Sequence, residues 1–198
     1  MNKNEFAKYI DVFLAQNAKL NLISKNDEKY LWEKHIFDSL AIEKFFEKYI
    51  KELPDGVTLL DIGTGGGFPS VPIALQYKNI EVFALDSIRK KINAIENIKS
   101  ELDIKNLHTI CDRAENVKNK FDIITSRAVA KLDKIAGYAL PLLKNGGYFI
   151  AYKSVKTQEE INDAKNVLKK YKAEIVDIIE YNLPLEENFV RNLIVIKK

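Results

Sequence analysis

The 198-residue chain has little of several residues that usually announce a structural class: one cysteine, Cys111, two histidines, one tryptophan, and four arginines beside 27 lysines. One cysteine excludes an intrachain disulfide framework, and with two histidines it leaves no Cys-based zinc site and no metal-ligand spacing. That economy fits a reducing, cytoplasmic interior. No run of eighteen apolar residues is present, so no membrane-spanning helix is expected. The charged opening Met1-Asn-Lys-Asn-Glu has no apolar core, and secretion is not expected either. The net charge of +3 is too small to argue for a polyanionic partner by itself. Residues 1–50 balance eight lysines against eight acidic residues, so the excess lies downstream. Most lysines read as solvated faces. The scarce arginines, Arg89, Arg113, Arg127 and Arg191, carry more information, because a planar fork is not interchangeable with an ammonium.

What is present is a chain long enough for one α/β domain, with 46% hydrophobic residues. Phe6, Ile10, Phe13 and Leu14 recur at helical spacing over 3–17, and Leu31, Ile36, Leu40 and Phe45 do so over 27–49. These predict two N-terminal helices, an extension over 1–50. Pro54-Asp55-Gly56 punctuates the junction, and strand and helix patterns alternate from 57 to 198. Strands are expected at 57–61, 80–85, 107–110, 121–125, 147–152, 174–180 and 191–196, and helices at 69–77, 88–102, 131–143 and 157–171. Thr157 and Glu160 fit a capping box, and Asn145-Gly146-Gly147 a turn into the fifth strand. The alternation implies a doubly wound, mostly parallel sheet, with the last two strands forming an antiparallel hairpin at one edge.

The first strand runs into Asp61-Ile-Gly63-Thr-Gly65-Gly66-Gly67-Phe68, and the second ends on Asp86. Glycines after an apolar strand permit close backbone approach to a ligand, while a carboxylate about twenty residues on can grip a ribose. A dinucleotide fingerprint would require glycine at position 68, where Phe68 stands. Asp61-x-Gly63-x-Gly65-x-Gly67 instead resembles motif I of class I S-adenosylmethionine (SAM) methyltransferases, whose cofactor carries no phosphate. The resemblance implies a Rossmann-like, seven-stranded sheet.

Ligands in such sheets lie beyond the carboxyl ends of the strands. Asp61 or the turn amides can take the methionine end, Asp86 the ribose hydroxyls, and residues 112–115 can border the adenine. Phe68 reads equally as an apolar wall or as core. Arg127 closes the apolar strand four, at the substrate mouth. It either positions acceptor or cofactor, or forms a structural ion pair with Asp122 or Asp86. His35, Asp38 and Ser39 share one helix face, as a self-satisfied polar patch or as a cover leaning over the crevice. No Asn/Asp-Pro-Pro-aromatic turn follows strand four, as amine methylation would favour, and Cys111 is badly placed for a C5 nucleophile. A ring nitrogen with a free lone pair, such as guanine N7, needs neither device.

Together, Glu33-Lys-His35-Ile-Phe-Asp38-Ser39-Leu40, Asp61-Ile-Gly-Thr-Gly-Gly-Gly-Phe-Pro69, Leu85-Asp86-Ser87 with Arg89-Lys-Lys91, Arg113-Ala114-Glu115 and Phe121-Asp-Ile-Ile-Thr-Ser-Arg127-Ala128 resemble the RsmG (GidB) family. The resemblance runs from about Asn21 to Lys153. It implies a bacterial enzyme that methylates guanine N7 in the 530 loop of 16S ribosomal RNA of the small ribosomal subunit with SAM; a monomer is expected. It carries cofactor contacts onto Gly63, Phe68, Ala114, Glu115 and Arg127; His35 and Lys153 are expected on the acceptor side. Two positions depart from the family pattern: Ser70 where glycine is frequent, and Lys153-Ser154 where Lys-Gly is. Competing classes are a small-molecule or protein methyltransferase, and a non-catalytic RNA-binding module.

Overall fold

The computed structural model describes residues 3–50, 52–154, 157–187 and 189–198. Met1 and Asn2 of the charged opening, and the Thr157 side chain expected to cap the last helix, lie outside what is described. Strands β1 (Val57–Ile62), β2 (Ile80–Leu85), β3 (Leu107–Ile110), β4 (Phe121–Arg127), β5 (Leu143–Lys153), β6 (Glu174–Leu183) and β7 (Phe189–Lys197) form one sheet in the order β3-β2-β1-β4-β5-β7-β6. The five central and left-hand strands are parallel, and β7 runs antiparallel to both β5 and β6. The expected terminal hairpin is therefore present, with β7 inserted between β5 and the edge strand.

The helical elements are α1 (Ala7–Leu20), α2 (Lys25–Glu28), α3 (Asp38–Leu40), α4 (Glu43–Tyr49), α5 (Ser70–Gln76), α6 (Arg89–Leu102), α7 (Leu132–Leu142) and α8 (Thr157–Lys170), with a π-helical segment, Leu31–Phe37, ahead of α3. Successive strand residues point to opposite faces, so each strand feeds two cores. Leu59, Ile123, Ile150 and Val195 pack with α1, α4, α5 and α6 on one face. Leu60, Ile124, Phe149 and Ile194 pack with α7 and α8 on the other. Residues of the N-terminal extension, including Phe6, Phe13, Ile36, Leu40 and Phe45, belong to the first of these cores. Strand order reverses between β2 and β4 across β1, and a crevice opens there at the carboxyl edge.

Two local expectations are corrected. The 27–49 segment is not one α-helix: its apolar period survives, but the Asp38 N–H turns to the His35 carbonyl, and Lys34 O accepts instead from Arg127. A distant side chain thus takes a carbonyl that a regular helix would have used, and π geometry replaces α. Asn145-Gly146-Gly147 lies inside β5 as a bulge, where the register against β4 jumps from Phe121↔Leu143 to Ile123↔Tyr148.

The join between α1 and the crevice is aromatic. Phe13 is fully buried and meets Phe68 edge-on at 5.0 Å and Tyr9 at 6.0 Å. Phe13→Ala is expected to cost about 3–5 kcal/mol in urea unfolding, because large-to-small changes at tightly packed sites leave a cavity.

Candidate active site

The turn after β1 folds back on β2: the Gly63 and Thr64 amides both donate to Leu85 O, at 2.8 and 2.9 Å, and the Gly65 amide donates to Asp86 Oδ2 at 3.0 Å. Asp86 Oδ1 accepts from the Ile88 amide at 2.9 Å, and Lys91 Nζ lies 3.7 Å from Oδ2. Asp86 therefore ties the glycine turn to the start of α6 while remaining on the wall of a cavity of about 420 Å³. Ala114 and Glu115 line that same cavity, with Gly63 and Ala128. A second cavity, about 710 Å³, shares Gly63, Lys91 and Ala128 with it and is lined by Gly65, Phe68, His35, Arg127 and Lys153. Nine of the eleven expected site residues thus converge on two adjoining hollows.

Asp61 and Gly67 do not line either hollow. Asp61 is fully buried beneath the turn, with Oδ1 accepting from Thr125 Oγ1 at 3.0 Å and Oδ2 unpaired. Burial pushes its carboxyl up to about 6, against the Thr64 and Thr125 hydroxyls and the Arg127 charge, which pull it down. A Cβ added at Gly67 would lie 2.6 Å from Val71 Cγ2, so this glycine serves the packing of α5. A Cβ at Gly65 would meet only the Gly63 carbonyl oxygen, at 3.9 Å, and otherwise project into open space beside the turn. That open space fits a cofactor approached by backbone alone. The open space beside Gly65 would take the methionine end, Asp86 would face the ribose, and Ala114 with Glu115 the adenine; the chemistry such a cofactor supplies is an electrophilic methyl on a sulfonium.

Arg127 ends β4 and reaches into the N-terminal layer. Its Nη1 donates to Asp38 Oδ2 at 2.8 Å and Lys34 O at 3.0 Å, its Nη2 faces His35 Nδ1 at 3.1 Å, and the guanidinium lies 5.2 Å from the Phe68 ring centroid. The partner is Asp38, not Asp86 or Asp122; the latter is engaged by Thr58 and Lys144 at the other end of β4. Asp38 Oδ1 also accepts from Tyr181 OH at 2.6 Å. Of the three residues expected to share a face, His35 and Asp38 meet at Arg127, while Ser39 turns its hydroxyl to His35 O. An arginine is only a donor, so His35 Nδ1 must accept and the imidazole carries its proton on Nε2. Burial, then the Arg127 charge, pushes His35 down to about 4, which keeps it neutral. Nε2 is buried without a partner. Phe68 is both wall and core, 4% exposed and in ring contact with Tyr9, Phe13 and His35.

Lys153 is already held: Nζ donates to Ala130 O at 2.7 Å and pairs with Glu160 at 2.6 Å, and Glu160 Oε2 accepts from the Leu132 amide at 2.7 Å. Glu160 thus caps α7, and Lys153 braces the loop after β4. Sequence reasoning missed Tyr152, Tyr181, Leu183, Phe189 and Arg191 on the larger cavity. For Phe189 and Arg191 the reason is that the rule placing ligand residues after parallel strands overlooks the antiparallel β7, whose beginning lies at the same edge.

A glycine turn after β1, a carboxylate after β2, and an antiparallel β7 inserted beside β6 define a class I SAM-dependent methyltransferase. The family model described as rRNA small subunit methyltransferase G (GidB) matches residues 2–190. The chain belongs to that family. It is 35% identical to ribosomal RNA small subunit methyltransferase G of Lachnoclostridium phytofermentans, over all of this chain and 83% of that protein. The corresponding protein of Desulfitobacterium hafniense is 38% identical, over 98% of this chain and 80% of its own length. In fold it is similar to M. jannaschii TYW2, solved in complex with AdoMet, with a TM-score of 0.58, 19% identity, and coverage of 80% of this chain and 74% of that one.

The two glycines separate site from scaffold. Gly65→Val is expected to abolish SAM binding in calorimetry at a modest cost in stability, since its φ of +60° strains any side chain by about 1–2 kcal/mol. Gly67→Val should instead lower the unfolding midpoint sharply; SAM binding retained by Gly65→Val would remove the turn from the site.

His35 and Asp61 also predict opposite pH signatures. Asp61 keeps its proton to higher pH when folded than its usual 3.8, so the native state binds more protons between about 4 and 6 and stability falls as pH rises there. His35 releases its proton at lower pH when folded than its usual 6.5, so stability rises from about 4 to 6.5. Urea unfolding of His35→Gln should show a weaker rise in stability over this window than the unaltered chain, and Asp61→Asn a stronger one.

Proposed function

We propose that this chain transfers a methyl group from SAM to N7 of a guanine in the 530 loop of 16S ribosomal RNA, with the small ribosomal subunit as acceptor. Membership of the rRNA small subunit methyltransferase G family supports an RNA acceptor. The observation that carries the choice of atom is that the carboxylates lining the cavity with Arg127 are all engaged. Asp38 is bound to Arg127 and Tyr181, Glu160 to Lys153 and the Leu132 amide, and Asp27 to Lys34 at 3.0 Å. His35 spends its lone pair on Arg127. Among the described residues lining this cavity, none is free to take a proton from an amine or carbon acceptor. Guanine N7 has an available lone pair and loses no proton on methylation.

The chemistry then rests on approach and orientation, for which alignment alone supplies several kcal/mol of a transfer barrier. Arg127 is the positioning residue. His35 Nε2–H is an unspent donor beside the cavity, suited to an acceptor oxygen or to the cofactor carboxylate. We take residues 1–198 as one working unit, a helical extension over 1–50 closing on the core over 57–198, acting as a monomer in the cytoplasm. No helix among the described residues is long and apolar enough to cross a membrane.

The test uses the chemistry of the product. N7-methylguanine is cationic and opens to strand scission under borohydride and aniline. RNA from 30S particles incubated with the chain and SAM should show one new break, in the 530 loop. A break elsewhere corrects the site, and labelled methyl on RNA without N7-methylguanine overturns the assigned atom.

A further inference from the structure

Two of the four arginines line the larger cavity, and their situations differ. Arg127 is bound on three sides. The Arg191 side chain forms no ion pair or hydrogen bond among the described residues, and its Nε is buried without a partner. It stands near the start of β7, and because β7 is antiparallel that start lies at the carboxyl edge: Asn192 pairs with Lys153, and Arg191 with Tyr181 of β6. Phe189, two residues earlier on β7, lines the same cavity and is 40% exposed, unusual for so large an apolar ring.

A buried guanidinium edge without an acceptor is costly, and its planar fork matches an oxyanion bidentately. Position decides which anion. Arg191 lies three strands from β1, roughly 14 Å at ordinary strand spacing, on the side away from Asp86 and Ala114. That places it by the acceptor rather than by the adenosine end of the cofactor. It is also a poor partner for the reacting base. Arginine reads guanine through O6 and N7 together, which would block the atom to be methylated, and methylation leaves a positive charge that a second cation would oppose. A phosphate has neither problem.

We propose that Arg191 grips a backbone phosphate at the acceptor nucleotide, and that Phe189 offers its exposed ring to stack a neighbouring base. The site rests on the RNA acceptor proposed above. It supplies grip without sequence reading, since every base has a face to stack on and every nucleotide a phosphate.

The experiment measures methyl transfer to 30S subunits across a salt series, with SAM affinity followed by calorimetry on the same proteins. Arg191→Ala is expected to raise the acceptor KM roughly 10- to 100-fold, as for a lost charge-assisted hydrogen bond. It should also flatten the slope of log affinity against log salt by about 0.7 to 0.9, one phosphate contact. Arg191→Lys should restore the slope and only part of the affinity, because an ammonium lacks the fork. Phe189→Ala should weaken acceptor binding with the slope kept. SAM affinity should hold throughout. Arg191→Gln carries the same test if the alanine variant does not fold. An unchanged slope and KM would overturn the phosphate site, as would a parallel loss of SAM affinity, which would give the guanidinium to the cofactor. No methyl transfer to 30S subunits by the unaltered chain would overturn the acceptor reading, and this site with it.

Discussion

The ion pair between Arg127 and Asp38 fixes the end of β4 against the helical extension that covers the sheet. The guanidinium side chain is 14% exposed and the carboxylate 4%. At that depth the attraction is largely offset by desolvation, so the pair is a poor source of net stability, while the loss of either partner leaves an uncompensated charge. What the pair secures is geometry. It brings the end of β4 against the π-helical segment, orients His35, and, through the second oxygen of Asp38, holds Tyr181 of β6. Tyr152 adds a parallel tie from β5, donating to Ser39 O at 2.7 Å. The helical extension is thereby a wall of the cavity as well as a cover for the sheet.

The π geometry of 31–37 follows from the same contact. A regular helix consumes its carbonyls internally and presents only side chains to its surroundings. Here the Lys34 carbonyl is turned over to Arg127, and the wider turn sets His35 and Asp38 side by side on one guanidinium. Such local departures concentrate at functional sites. The positive φ of 56° at Ala128, immediately after Arg127, is a second departure at the same edge.

The sheet was legible in the sequence because period-two apolar runs, glycine punctuation and the 57–86 strand-turn-strand pattern are local signals. The glycine turn and Asp86 were legible for the same reason. Arg127 could be located but its partner could not, since Asp38 lies 89 residues away and nothing local distinguishes it from Asp86 or Asp122. The continuous helix expected over 27–49 failed because apolar spacing tolerates the extra residue of a π turn. The depth of Asp61 was not legible: it stands beside the glycines in sequence, yet it lies fully buried beneath the turn, where Thr125 holds one carboxylate oxygen. Lys153 and Glu160 show the converse. Each looked like an isolated feature of its own element, and only the packing of α8 on α7 brings them together.

The Glu160 carboxylate satisfies the Leu132 amide and the Lys153 ammonium at once, and it belongs to the first turn of α8. First turns open locally at far lower free energy than the strands of a core. One such opening releases the cap of α7, frees Lys153, and slackens the loop through Ala130, all while the sheet stays intact. Heating should therefore slacken this wall of the larger cavity before it melts the fold. The order of hydrogen exchange, α8 and the 128–132 loop together and β1 and β4 last, would follow from a single shared carboxylate.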